Sequence, residues 1–254
     1  MRYLTDKEYE VYWDELGGVR DSIALDLVKE SSTVLDVACG WGYYTFRLTE
    51  YNPSGIVVAL DLVPSAFTNM KRKQTDLNTL RNIEPVISDA TRLPFRTCVF
   101  DISTSFLGRR DIYMTLGRRG VEKTVEEMTR TTRRAGRIAI CVTPPNLADT
   151  NDLLVAIELE GEIFGAKSLP TTFYEKLYRK LDVRLLKIKA YCTGSKMTAK
   201  QTRKELVDGI RIARDTYGGE VSDFEEVWRR YGPGIEKHGY GMYSKVAVII
   251  GLRS

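Results

Sequence analysis

Histidine is almost missing from this sequence: His238 is the only one among 254 residues. Cysteine is scarce too, with Cys39, Cys98, Cys141 and Cys192 far apart and no C-x-x-C pair. A zinc site is not expected, and no metal is assigned. Cys98 and Cys141 stand in apolar, strand-like runs and read as small core residues, and reduced cysteines suit a cytoplasmic protein. No apolar run approaches the ~18 residues of a membrane span. The start, MRYLTDKEYEVYWDEL, is too charged for a secretory signal. Neither sign of charge dominates: 38 Lys and Arg stand against 34 Asp and Glu, for a net +4. That balance permits RNA or an acidic substrate and requires neither. Repeats and low-complexity tracts are lacking as well. What remains is a 43% hydrophobic chain, long enough for one α/β domain with an insertion.

The chain is organised around Thr33 to Leu48, TVLDVACGWGYYTFRL. Val34, Leu35 and Val37 make Thr33–Ala38 a buried central strand. Gly40 and Gly42 follow, where the backbone turns sharply and a ligand can approach without meeting a Cβ. Helical spacing resumes at Tyr43. Asp36, near the strand's end, separates two nucleotide readings. A phosphate loop wants bare N–H groups and no nearby anion, and the dinucleotide fingerprint wants a small residue where Thr45 stands. A carboxylate is repulsive beside a diphosphate and favourable beside an ammonium or sulfonium. An ordinary buried strand and turn would use the same residues without any ligand.

Asp36-Val37-Ala38-Cys39-Gly40-Trp41-Gly42 resembles motif I of the class I S-adenosylmethionine (SAM) methyltransferases, with Ala38 in place of the first glycine. Three further landmarks fit that resemblance in order. Asp61 ends the strand Ile56–Leu60, 19 residues after Gly42, where the family's acid accepts both ribose hydroxyls; Leu62 would lie against the adenine. Asp89 and Ala90 follow the strand Pro85–Ser88, where an acid and its neighbour meet the adenine amino group and ring. Val99–Phe106 is a fourth strand whose end would face the transferred methyl, with Ser105, Phe106 and Leu107 nearby. The resemblance covers about Thr33 to Thr143. It implies SAM as cofactor and S-adenosylhomocysteine as product, with Asp36, Ala38, Cys39, Gly40, Gly42, Asp61, Leu62, Asp89, Ala90 and Ser105 as cofactor contacts.

Helices are expected over Thr5–Leu16 (Tyr9, Tyr12, Trp13 and Leu16 on one side), Val19–Val28, Ser65–Leu80 and Val121–Arg134, with a loop from Gly108 to Gly120. Asp101, early in the fourth strand, reads as structural. Arg137–Thr143 is a fifth strand. Helices over Asp149–Phe164 and Thr171–Leu181 precede a sixth strand, Val183–Tyr191, and Tyr243–Leu252 is the seventh. About fifty residues between the last two strands form an insertion. It holds a helix over Met197–Tyr217 and another over Ser222–Tyr231, the latter opened by a Ser222/Glu225 capping box. Turns are expected at Gly232-Pro233-Gly234 and Gly239-Tyr240-Gly241.

The fold expected is therefore a seven-stranded, doubly wound, mostly parallel sheet with an antiparallel last strand and helices on both faces. It is one domain, 1–254, with N-terminal helices in 1–30 and a helical lid in 193–241. The expected function is in-line methyl transfer to a small-molecule acceptor. From Arg109 to Arg137 there are eight arginines and one lysine against four acids, and Arg109 and Arg110 at the cavity mouth would bind anionic groups of that acceptor. RNA, gripped by Arg109–Arg119, is the alternative acceptor, and a SAM-binding protein without transferase activity is a third reading. No catalytic residue is assigned; Asp111, His238 and Tyr240 are candidates for a base.

Overall fold

The computed structural model describes residues 6–76, 82–165, 167–217 and 222–254. Seven strands form one sheet: β1 (Thr33–Val37), β2 (Ile56–Asp61), β3 (Ile83–Ile87), β4 (Phe100–Phe106), β5 (Thr132–Val142), β6 (Val183–Cys192) and β7 (Lys245–Arg253). Their order is β3-β2-β1-β4-β5-β7-β6. β1 to β5 pair in parallel, and β7 runs antiparallel between β5 and β6. The order reverses between β1 and β4, so their carboxyl ends open the crevice where ligands of such sheets bind.

Strand alternation fills two cores, one on each face. On one face Leu35, Val37, Ile138, Ile140 and Val142 pack with α4 (Arg109–Thr131) and α6 (Thr171–Lys180), through Val121, Val125, Met128, Tyr174 and Tyr178. On the other, Val34, Ala139, Cys141, Val246, Val248 and Ile250 pack with α1 (Asp6–Leu27) and α2 (Tyr43–Glu50). Asp36 shares the parity of Val34 and so faces α2. A smaller core joins α2 to α3 (Pro64–Asp76) through Phe46, Ala66 and Met70. A separate core joins α5 (Asn151–Phe164), α7 (Ala199–Tyr217) and α8 (Phe224–His238) through Leu159, Leu206, Ile210, Val227 and Ile235. Asp101 is structural: its carboxylate accepts the Thr33 N–H at 2.8 Å and pairs with Arg133 at 2.8 Å.

Several expected boundaries move. The two N-terminal helices are one, because Gly17 and Gly18 keep helical geometry; the side chains of Tyr9, Tyr12 and Trp13 lie outside the described residues, as do 77–81 at the end of the third expected helix. The loop expected over 108–120 is helical. It begins at Arg109 and absorbs a kink at Gly117, where φ is 63° and ψ −165°. That kink explains the misreading, since glycine pairs usually punctuate a helix. α4 then stops at Thr131, and β5 starts five residues earlier than expected, with Ala135 at φ 57°. α8 begins at Phe224 with Asp223 as its N-cap, so the Ser222/Glu225 box is not formed. It runs through Pro233 to His238, so no turn occurs at 232–234. Cys98 is exposed in a left-handed turn just before β4 (φ 61°), not in the core; Cys141 is buried as expected.

Candidate active site

A cavity of about 320 Å³ opens at the carboxyl ends of β1, β2 and β4. One side is built from the tips of β1 to β3 with α1 and α2; it carries Asp36, Ala38, Cys39, Asp61, Leu62, Asp89, Ala90, Arg20 and Tyr43. The other side comes from the β4 tip and α4, from α5 and α7, and from Tyr240 and Tyr243. Of the expected cofactor contacts, all but Gly40, Gly42 and Ser105 line this cavity. Ser105 is wholly buried behind its wall, at the level of the Ile140 register. Gly40 and Gly42 form the loop beneath it.

The loop's shape follows from three left-handed residues: Ala38 at φ 56°, Gly40 at 55° and Gly42 at 81°. Ala38 holds a conformation that costs an L-residue energy, the departure from glycine noted in the sequence. Across the crevice Leu107 is also left-handed, at φ 58°. Gly108, which caps α4, completes the junction, since a Cβ there would lie 2.5 Å from the Ala38 Cβ and 2.9 Å from its carbonyl oxygen. Spacing alone gave no signal for Gly108, because its constraint comes from a strand distant in sequence.

Asp36 is 1% exposed. Its Oδ2 accepts the Thr45 hydroxyl at 2.7 Å, and its Oδ1 has no hydrogen-bond partner among the described residues. Burial, with a smaller push from Asp61, raises its carboxyl to about 7. Asp61 accepts the Gly40 N–H at 2.9 Å on one oxygen and the Val63 N–H at 2.9 Å on the other. Burial raises its pKa, and those backbone donors oppose the rise. Each carboxylate oxygen still has a lone pair for a further donor. Leu62 is exposed and apolar over the cavity. One Asp89 oxygen accepts both the backbone N–H and the hydroxyl of Thr91, each at 2.8 Å, so Asp89 caps its own turn while lining the cavity.

The other expected site residues separate. Arg109 does not reach the cavity mouth. It is buried, bonds the Tyr174 hydroxyl and the Cys141 carbonyl, and lies 4.7 Å from the Tyr174 ring centroid. The helical start of α4 turns it inward, which a loop reading could not foresee. Arg110 lines the cavity but forms an ion pair with Glu160 and stacks on Phe164 at 4.8 Å. Asp111 opens onto the cavity, and the surrounding wall pushes its carboxyl above the ordinary range against the pull of Arg110. Tyr240 is buried there and donates to Glu160 at 2.7 Å. His238 ends α8 with Asn151 3.5 Å away and does not line the cavity. It is withdrawn as a candidate base, and His238→Ala should leave SAM affinity and turnover within about twofold of wild type, as substitutions outside a site do.

Residues not anticipated include Arg20, 4% exposed, with its guanidinium 5.7 Å from the Tyr43 ring centroid and 5.5 Å from that of Phe106. Glu160, Phe164, Glu205 and Asp208 are others. Their only sequence signal was helical periodicity, which shows faces but not what they meet.

Residues 34–136 match the family model described as "Methyltransferase domain". A demethylmenaquinone methyltransferase of Oceanobacillus iheyensis is 31% identical over 126 residues, 48% of this chain and 49% of that protein. A ubiquinone/menaquinone biosynthesis C-methyltransferase of Rickettsia prowazekii is 29% identical over 37% of this chain and 39% of its own. The matched part thus spans half or less of these relatives' length. Among solved structures, the YcgJ protein of Bacillus subtilis superposes with a TM-score of 0.64 at 14% identity, covering 93% of this chain and 98% of that one. A geranyl diphosphate C-methyltransferase of Streptomyces coelicolor, in complex with S-adenosylhomocysteine, gives 0.59 at 13% identity, covering 93% and 78%. No described helix is long and apolar enough to cross a membrane. Val34 to Gly136 thus match a methyltransferase-domain model, and the sheet order and these superpositions give the chain the Rossmann-like methyltransferase fold.

Proposed function

We propose that the chain transfers a methyl group from SAM to a small-molecule acceptor seated between α4 and the helices α5 and α7. The observation that carries this reading is the cavity itself. It joins the strand-tip acids to a wall contributed by the 193–241 segment, which acts as the acceptor lid.

The residues present fit the cofactor: Asp36 Oδ1 is buried and has no partner among the described residues, and an ammonium placed beside it would favour the ionised carboxylate. When bound, SAM supplies a methyl group activated by a sulfonium leaving group. Asp36 would hold the amino group, the Cys39–Gly42 loop would approach the methionine end with backbone, and Asp61 would accept the ribose hydroxyls. Leu62 would cover the adenine, with Asp89 and Ala90 at its edge. Around the reacting atoms the chain excludes water and aligns the acceptor, which supplies much of the rate in such displacements. Asp111 and Tyr240 remain the groups placed to hold a proton.

Asp61→Ala should weaken SAM binding by about 2 kcal/mol, the size of charge-assisted hydrogen bonds lost from a site. Unchanged affinity in calorimetry would remove the ribose assignment. Relatives named for quinone methylation support a small acceptor. An RNA acceptor has less support, since Arg109 faces the core and Arg110 is paired with Glu160. The deciding experiment follows labelled methyl from SAM into fractions of a cell extract. Label in the small-molecule fraction is expected; label confined to RNA or protein, or none transferred, would overturn this reading.

A further inference from the structure

Behind the acceptor wall lies a second, smaller cavity of about 30 Å³. Leu107, Arg110, Glu160 and Tyr243 line both cavities and form the partition between them. The charged lining of the small cavity is three cations, Arg109, Arg110 and Lys167, against one acid, Glu160. Glu160 is already engaged: it pairs with Arg110 and accepts the Tyr240 hydroxyl at 2.7 Å. Arg109 is different. It is 8% exposed, and among the described residues its guanidinium meets neutral groups alone: the Tyr174 hydroxyl and ring, and the Cys141 carbonyl oxygen. Its Nε is buried and has no hydrogen-bond partner among them. Neither neighbour supplies a counter-charge, because burial raises both the Tyr174 phenol and the Cys141 thiol above their ordinary ranges. A buried guanidinium without an anion is costly, and an anion placed beside it relieves that cost. Lys167 adds a second positive charge at the exposed rim, with no ion pair among the described residues. Thr143 and Ser168 bring hydroxyl donors to the same wall.

We infer that this small cavity binds one carboxylate-sized anion, held by Arg109 with Lys167 at its rim. Volume sets the size of the ligand. About 30 Å³ exceeds the ~10–15 Å³ that admits a single water, yet it is far too small for a whole acceptor. It takes one compact group: a free anion of the size of formate, or the carboxylate that ends a molecule lying in the larger cavity across the partition. The site stands apart from methyl transfer; only the second source depends on that reading.

Thermal unfolding at constant ionic strength tests the site. Sodium gluconate, too bulky for the cavity, is replaced stepwise by sodium formate or by sodium 3-phenylpropionate, and SAM affinity is measured by calorimetry on the same preparation. Formate should raise the melting temperature saturably, as a ligand of the native state does. Arg109→Met should weaken the apparent formate affinity at least about thirtyfold, the effect of removing one side of a buried charge pair. Lys167→Ala changes an exposed side chain and keeps the test open should Arg109→Met fail to fold. It should weaken formate about two- to fivefold, as a rim charge does, with SAM affinity unchanged. Tighter binding of 3-phenylpropionate, in competition with formate, would sustain the site with the acceptor's carboxylate as its ligand; an effect of formate alone would sustain it with a free anion. No saturable effect of either anion, or an effect unchanged in the folded variants, would overturn the site even where SAM binds. A saturable effect without SAM binding would keep the anion site and sink the methyltransferase reading.

Discussion

Asp36→Asn is expected to abolish measurable SAM binding at pH 8 while making the ligand-free protein more stable. Both effects come from one buried carboxylate. Among the described residues its Oδ1 has no partner and its Oδ2 meets Thr45 alone, and burial raises its pKa to about 7. The folded-state value lies above the unfolded one, so the fold is favoured when the group is protonated. That contribution is complete below about pH 4, where the unfolded carboxyl also titrates, and is lost as pH rises through about 7. At pH 8 the ionised group therefore costs the ligand-free fold up to about 4 kcal/mol. Asparagine keeps the shape, can still meet Thr45 and removes that cost, so thermal unfolding at pH 8 should shift upward. The same change leaves an incoming ammonium without its counter-charge, a loss of about 3–5 kcal/mol for a buried pair broken on one side. In the wild type, SAM affinity should fall as pH drops below about 7, because a proton must leave Asp36 for the pair to form. Calorimetry at two pH values checks this; pH-independent affinity, or full affinity in Asp36→Asn, would show that Asp36 does not meet the ammonium.

Gly108→Ala should be the next most damaging change. The added methyl would stand 2.5 Å from the Ala38 Cβ and 2.9 Å from the Ala38 carbonyl oxygen, and 3.4 Å from the Ser105 hydroxyl. No flexible side chain is there to yield: one contact is backbone and another is a Cβ fixed to it. Ala38 already occupies a left-handed conformation, so the strain falls on the β1 tip and the loop it feeds. Overpacking of this kind costs on the order of 3 kcal/mol. Part should appear as a lower melting temperature and part as at least about tenfold weaker SAM binding, by displacement of Cys39–Gly42. A variant with wild-type melting and affinity would show that the β1–β4 junction does not set the loop.

The sheet was readable because its central strands β1, β4, β5 and β7 are mostly buried apolar runs, and because Asp36, Asp61 and Asp89 stand at or just past strand ends. Those signals are local. What the sequence hid was set by contacts between distant segments. Arg109 looks like a surface charge in a loop until α4, capped by Gly108, starts with it and turns it onto Tyr174. Arg110 looks free to grip an anion until α5 brings Glu160 to it. His238 attracts notice as the only histidine, yet its helix runs through Pro233 and carries it away from the cavity. Ser105 shows the limit of borrowed roles, since its strand position is right while its side chain is sealed behind the wall. Arg20, Glu205 and Asp208 sit on helix faces whose partners only the folded chain discloses.

In the proposed reading, the crevice at the ends of β1, β2 and β4 holds SAM through Asp36, the glycine loop and Asp61. Isothermal titration of the whole chain with SAM at pH 8, repeated with Asp36→Asn, tests it most directly. One saturable site is expected in the wild type and none measurable in the variant, with the variant folded and more heat-stable. Absence of binding to the wild type, or equal binding to both proteins, would contradict it.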